Sequence, residues 1–167
     1  MADTAPSLTQ YLRDSSPSVY NRLERTVFLV LAYPETAARL YFQCELFTLD
    51  TLARTQLTLQ LLAYPGLPTF YDVLTREEMA LLCVLTVRVA ADKTAVIRRN
   101  GIVRFSDTFT GDFSPDSYYG REFRVVSAVN QTGETARLGE WLVFDTALPD
   151  AECWRIEAYL MHKFGIV

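Results

Sequence analysis

The chain reads as an all-β protein, an antiparallel sandwich carrying one short α-helix at its C-terminus. Three observations predict this class. The segments Arg39–Phe47 and Gln56–Tyr64 alternate apolar and polar residues with a period of two. An Asn-Gly pair, Asn100 and Gly101, separates two β-rich runs. In Ala151–Phe164, Cys153, Ile156, Leu160 and Phe164 recur at helical spacing.

The elements follow in order. Thr26–Tyr33 is β-branched, aromatic and apolar and stops at Pro34, which predicts a core strand. In Arg39–Phe47, Leu40, Phe42, Cys44 and Leu46 oppose Tyr41, Gln43, Glu45 and Phe47, the pattern of one half-buried strand. Gln56–Tyr64 repeats the alternation, and Pro65, Gly66 and Pro68 punctuate a turn after it. Thr75 and Glu78 fit a capping box, so a helical turn is expected around Thr75–Met79, with a strand following to Val89. Thr94–Arg98 and Ile102–Phe105 flank Arg99, Asn100 and Gly101, where Asn-Gly supplies the positive φ angles of a tight hairpin. Ser106–Tyr119 reads as a polar loop. Glu122–Val129 and Glu140–Phe144 read as strands, with a turn over Asn130–Thr135 between them. Asp150 is expected to cap the final helix, with Glu152 in its first turn and Gly165 as its stop.

Composition bounds the function. The 167 residues suit one domain, with an arm at 1–22 and a sandwich over 23–167 that includes the helix at 150–164. Hydrophobic residues make up 50% of the chain and charged residues 22%, within the globular range. A net charge of −4 argues against nucleic acid as a partner. The N-terminus lacks the basic and apolar regions of a secretory signal, and no apolar run approaches the ~18 residues of a membrane span. Cys44, Cys83 and Cys153 all fall in apolar patterns, as buried reduced thiols do.

The run from Gly139 to Ile166, GEWLVFDTALPDAECWRIEAYLMHKFGI, resembles the closing segment of laminin-G-like, concanavalin A-like lectin domains of phage and bacterial proteins. Arg25–Val30 is similar to an early core strand of that family, and Ala95–Val103 to its Asn-Gly hairpin. The resemblance runs from about Leu23 to the C-terminus and implies an antiparallel jelly-roll β-sandwich.

Few residues point to chemistry. His162 is the single histidine, which excludes a multi-histidine metal site. Glu140 and Asp145 start and end one strand on opposite faces, a poor geometry for the paired carboxylates of a glycosidase. No nucleophile elbow, phosphate loop or dinucleotide fingerprint occurs. No enzyme, cofactor or metal is expected. The ligand or partner residues expected from the Ser106–Tyr119 loop are Asp107, Asp112, Phe113, Asp116, Tyr118 and Tyr119, whose carboxylates and rings could meet a cation, a sugar or a neighbouring subunit. Trp141 and Trp154 are expected to anchor the helix to the sheet, with partial exposure the alternative for Trp154, which lies one residue off the apolar stripe. A lectin-like chain without export signal or disulfides fits a phage virion protein folded in the host cytoplasm. It would be a capsid decoration or tail-associated module bound to other virion proteins and to copies of itself. The alternative is a carbohydrate-binding module for host glycans.

Overall fold

The computed structural model describes residues 10–12, 24–32, 39–43, 47–50, 56–61, 70–108, 123–128 and 137–167. Within them run β1 (Gln10–Leu12), β2 (Arg25–Ala32), β3 (Arg39–Gln43), β4 (Phe47–Asp50), β5 (Gln56–Leu61), β6 (Phe70–Thr75), α1 (Arg76–Ala80), β7 (Cys83–Val89), β8 (Thr94–Arg99), β9 (Ile102–Thr108), β10 (Phe123–Ala128), β11 (Arg137–Phe144) and α2 (Asp150–Phe164). Two antiparallel sheets result, ordered β1-β10-β3-β4-β5-β6 and β11-β2-β7-β8-β9. This is the predicted antiparallel jelly-roll sandwich with a short C-terminal helix.

The five-stranded sheet explains why β2 is apolar without alternation. All eight of its residues are buried. Phe28 and Val30 face α2, where they join Val84, Cys153 and Leu160 in one core cluster. Leu29 and Leu31 point the other way, into the sandwich, together with Leu85, Val87 and Ile97. Covered on both sides, the run Val27–Ala32 is apolar at every position, and the buried Thr26 before it has its hydroxyl hydrogen-bonded. Helix α2 is thus a further layer on the outer face of this sheet.

Local devices fix the connections. The capping box holds: the Thr75 amide donates to Glu78 Oε2 at 2.9 Å, and the Glu78 amide donates to Thr75 Oγ1 at 3.3 Å. The β8–β9 hairpin turns through Asn100 at φ +49° and Gly101 at φ +78°. Asn100 also seats the start of β7, since its Oδ1 accepts from the Val84 amide at 2.9 Å. Gly165, at φ +64°, ends α2, and the Ile166 amide donates back to the Met161 carbonyl at 2.8 Å.

Four expectations need correction. The alternation of Arg39–Phe47 does not mark one strand, because β3 ends at Gln43 and Phe47 opens β4, which folds back antiparallel on β3. The expected Ser106–Tyr119 loop begins later, as Ser106, Asp107 and Thr108 belong to β9 and pair with β8. The last strand begins at Arg137 rather than Glu140, around a bulge at Gly139. Asp150 does not cap α2. The N-cap is Pro149, whose carbonyl accepts from the Glu152 and Cys153 amides, and the Asp150 carboxylate is engaged elsewhere. The backbone of Gln10–Leu12, inside the expected arm, pairs with β10 at a sheet edge. The expected turn over Asn130–Thr135 and residue Cys44 lie outside the described residues.

Candidate functional site

The loop residues singled out from sequence do not assemble into a described site. Asp107 is exposed on β9, its Oδ1 accepting from the Thr108 amide at 2.8 Å. Asp112, Phe113, Asp116, Tyr118 and Tyr119 lie outside the described residues. Among the described residues, no group of three or more His, Cys, Asp or Glu could hold a metal ion.

The described residues instead gather polar chemistry where α2 crosses β7 and β8. Successive strand residues alternate faces, so Thr86, Arg88 and Arg98 all point toward the helix. On α2, Asp150, Trp154 and Glu157 are spaced i, i+4, i+7 and share the face beside the apolar stripe. Glu157 is buried at 1% exposure. Its Oε1 accepts from Thr86 Oγ1 at 2.7 Å and lies 3.2 Å from Arg98 Nε. Its Oε2 is buried with no hydrogen-bond partner. Burial pushes the Glu157 carboxyl above the ordinary carboxylate range, against the opposing pull of the Thr86 hydroxyl and the Arg98 charge.

Arg98, buried at 4% exposure, is held by several acceptors. Its Nη2 donates to the Gly101 carbonyl at 3.2 Å, and its Nη1 lies 3.4 Å from Asp150 Oδ1. Arg88 Nη1 reaches the same Asp150 oxygen at 2.7 Å and the Leu148 carbonyl at 3.1 Å. Asp150 therefore exchanges the expected capping role for two guanidinium contacts. Over Arg98 lies the ring of Trp154, with its centroid 6.0 Å from the guanidinium carbon. Trp154 is 60% exposed, so it does not anchor the helix as expected. Trp141, half-buried on β11, lies in the sheet opposite Leu29.

The other candidates stay apart. Glu140 pairs with Lys163 at 2.7 Å on the β11 side of the helix, and that contact raises the lysine's pKa. His162 is exposed in the last turn of α2. Cys83 and Cys153 are free and buried, and burial raises the pKa of both thiols. Sequence reasoning missed Glu157, which sits in a charged helix as solvent-facing residues do. The i, i+4, i+7 spacing of Asp150, Trp154 and Glu157 was the available signal.

With this geometry in view, the solved structures that match can be compared. No protein-family model and no curated protein matches the sequence. Among solved structures, the receptor binding domain of botulinum neurotoxin type G matches with a TM-score of 0.60 at 10% identity, over 83% of this chain and 38% of that one. The CBM40 domain of the Ruminococcus gnavus IT-sialidase, bound to α2,3-sialyllactose, matches with a TM-score of 0.59 at 13% identity. There the match spans 90% of this chain and 92% of the other. The shared fold is a two-sheet antiparallel β-sandwich. NanB sialidase from Streptococcus pneumoniae matches with a TM-score of 0.58 at 16% identity, over 87% of this chain and 27% of the enzyme. The chain thus spans little more than a third of the toxin domain and about a quarter of the sialidase. Among the described residues, no helix is long and apolar enough to cross a membrane.

Proposed function

We propose that this chain is a non-catalytic carbohydrate-binding module. The supporting observation is its similarity in fold to a CBM40 domain bound to α2,3-sialyllactose, over 90% of this chain and 92% of that one. A neurotoxin receptor binding domain is a further neighbour named for binding. A two-sheet sandwich presents rigid strands and short connections from which a few polar and aromatic groups can meet a sugar. The virion reading rests on the C-terminal sequence pattern; the fold neighbours favour recognition of a glycan instead. Host-surface glycans are the partner class this function implies.

The test is a glycan array probed with the full chain, carrying neutral and sialylated oligosaccharides, followed by calorimetry on the strongest binders. Saturable binding without release of free sugar is the expected result. Absence of binding to every glycan class, or turnover of a bound oligosaccharide, would overturn the proposal.

A further inference from the structure

We propose that the sugar-binding platform of this module is the exposed indole of Trp154, with Val103 and Asp150 beside it, and that it takes a neutral pyranose. The inference rests on the carbohydrate-binding reading above and names its site and ligand class.

Trp154 leaves 60% of its surface in water, beside an apolar stripe that is packed down on the sheet. Exposing so large an apolar ring forgoes burial that the fold could have used. The Arg98 guanidinium carbon lies 6.0 Å from the ring centroid, within cation–π reach, and Arg98 is itself buried and fixed by Glu157, Asp150 and the Gly101 carbonyl. An indole has only two side-chain torsions to lose when a ligand stacks on it.

Its surroundings suit a sugar ring. Val103 is the cross-strand partner of Arg98, so it shares the helix-side face, and it is 54% exposed. Ile102, also exposed, pairs with Arg99 and points to the opposite face. The apolar area beside the ring is therefore about one indole and one valine. That matches the C–H face of a pyranose and falls far short of the roughly 800 Å² per partner of a stable protein interface. Asp150, one helical turn before Trp154, has a side chain 70% exposed and positioned by two arginines. It offers a fixed acceptor for sugar hydroxyls.

Charge selects the ligand class. Among the described residues around the ring, each guanidinium already faces a carboxylate: Arg88 meets Asp150, Arg98 meets Glu157, and Arg155 meets Glu152 at 2.8 Å. None is left over to neutralise a sialic acid carboxylate, and an anionic sugar would instead meet the exposed Asp150.

The experiment compares the wild-type chain with Trp154→Ala and Trp154→Phe on the same array, with lactose and 3′-sialyllactose titrated in solution. Circular dichroism confirms folding. Neutral glycans should bind the wild type. Trp154→Ala should weaken them by about ten-fold or more, equivalent to ~1.4 kcal/mol, and Trp154→Phe should stay within about three-fold because it keeps a stacking face. Lactose should shift the tryptophan emission of the wild type, and Trp154→Phe should abolish the shift while Trp141 remains. If neutral glycans bind equally to Trp154→Ala, or only sialylated glycans bind, this site is overturned while the carbohydrate-binding reading stands. If Trp154→Ala keeps glycan binding but dissociates a dimer, the surface belongs to a second copy and the proposal fails. If no glycan binds the wild type, both readings fail together.

Discussion

Glu157 shows how one residue can tie a helix to a sheet at an electrostatic cost. Its carboxylate enters a nearly dry space, where the Thr86 hydroxyl hydrogen-bonds one oxygen, the Arg98 guanidinium pairs with it by charge at 3.2 Å, and the other oxygen has no hydrogen-bond partner. Removing Arg98 would leave that charge with the Thr86 hydroxyl as its remaining direct partner. Arg98→Met should therefore destabilise the fold by about 3–5 kcal/mol in chemical denaturation, and Arg98→Met/Glu157→Met should recover much of the loss. The pH dependence follows from the direction of the shift. With its pKa raised in the folded state above the ordinary 4.5, Glu157 adds stability that is complete below that value. The contribution is lost as pH rises through the raised value. The stability difference between wild type and Glu157→Gln should shift against the wild type over that rise, as denaturation at a series of pH values would measure. A parallel curve for the two proteins would refute it.

At the scale of elements, α2 is secured at both ends by small residues on the strands below it. Thr26 on β2 donates to the Thr146 carbonyl at 2.8 Å and accepts from the Leu148 amide at 2.9 Å, fixing the turn that leads into the helix. Thr26→Val keeps the shape but leaves two partly buried backbone groups without this partner, and thermal denaturation should show a loss of roughly 1 kcal/mol. At the far end, Gly139 sits in the β11 bulge directly beneath Phe164. A Cβ there would lie 2.9 Å from Phe164 Cε1 and 3.2 Å from Val30 Cγ1. Gly139→Ala should push the end of the helix off the sheet at about 1–3 kcal/mol, with Phe164→Leu in the same chain restoring part of it. Full stability in Gly139→Ala would show that the helix end yields freely.

Across the whole molecule, order should be graded from the middle of the five-stranded sheet outward. β2 and β7 are covered on both faces, whereas β9 is an edge with almost all of its side chains exposed. Native-state hydrogen exchange should find the β2 and β7 amides slowest, opening only with global unfolding, and the outward-facing β9 amides fastest of this sheet. Equal protection in β9 and β2 would mean that something else covers that edge. The same gradient suits a recognition module, because Trp154 stands over β8 on the rigid side of the sheet rather than on a loose connection.

Features carried by short-range pattern were legible in the sequence. The capping box at Thr75 and Glu78, the Asn100–Gly101 turn and the stop at Gly165 each depend on a few neighbouring residues and their backbone preferences. So does the apolar stripe of Cys153, Ile156, Leu160 and Phe164, and with them the all-β class with its final helix. What a residue meets across space was not legible. The alternation of Arg39–Phe47 is compatible with one strand or with two folded on each other, and pairing of Tyr41 with Asp50 decides between them. Asp150 has the chemistry of a cap, yet two arginines on distant strands claim its carboxylate. Glu157 is written like a solvent-facing helix residue and the structure buries it, whereas Trp154, one residue off the apolar stripe, could anchor or be exposed until the packing of α2 left it 60% exposed. Periodicity states which residues share a face; only the packing of α2 over β7 and β8 determines which side of that face is closed and which is left open to solvent.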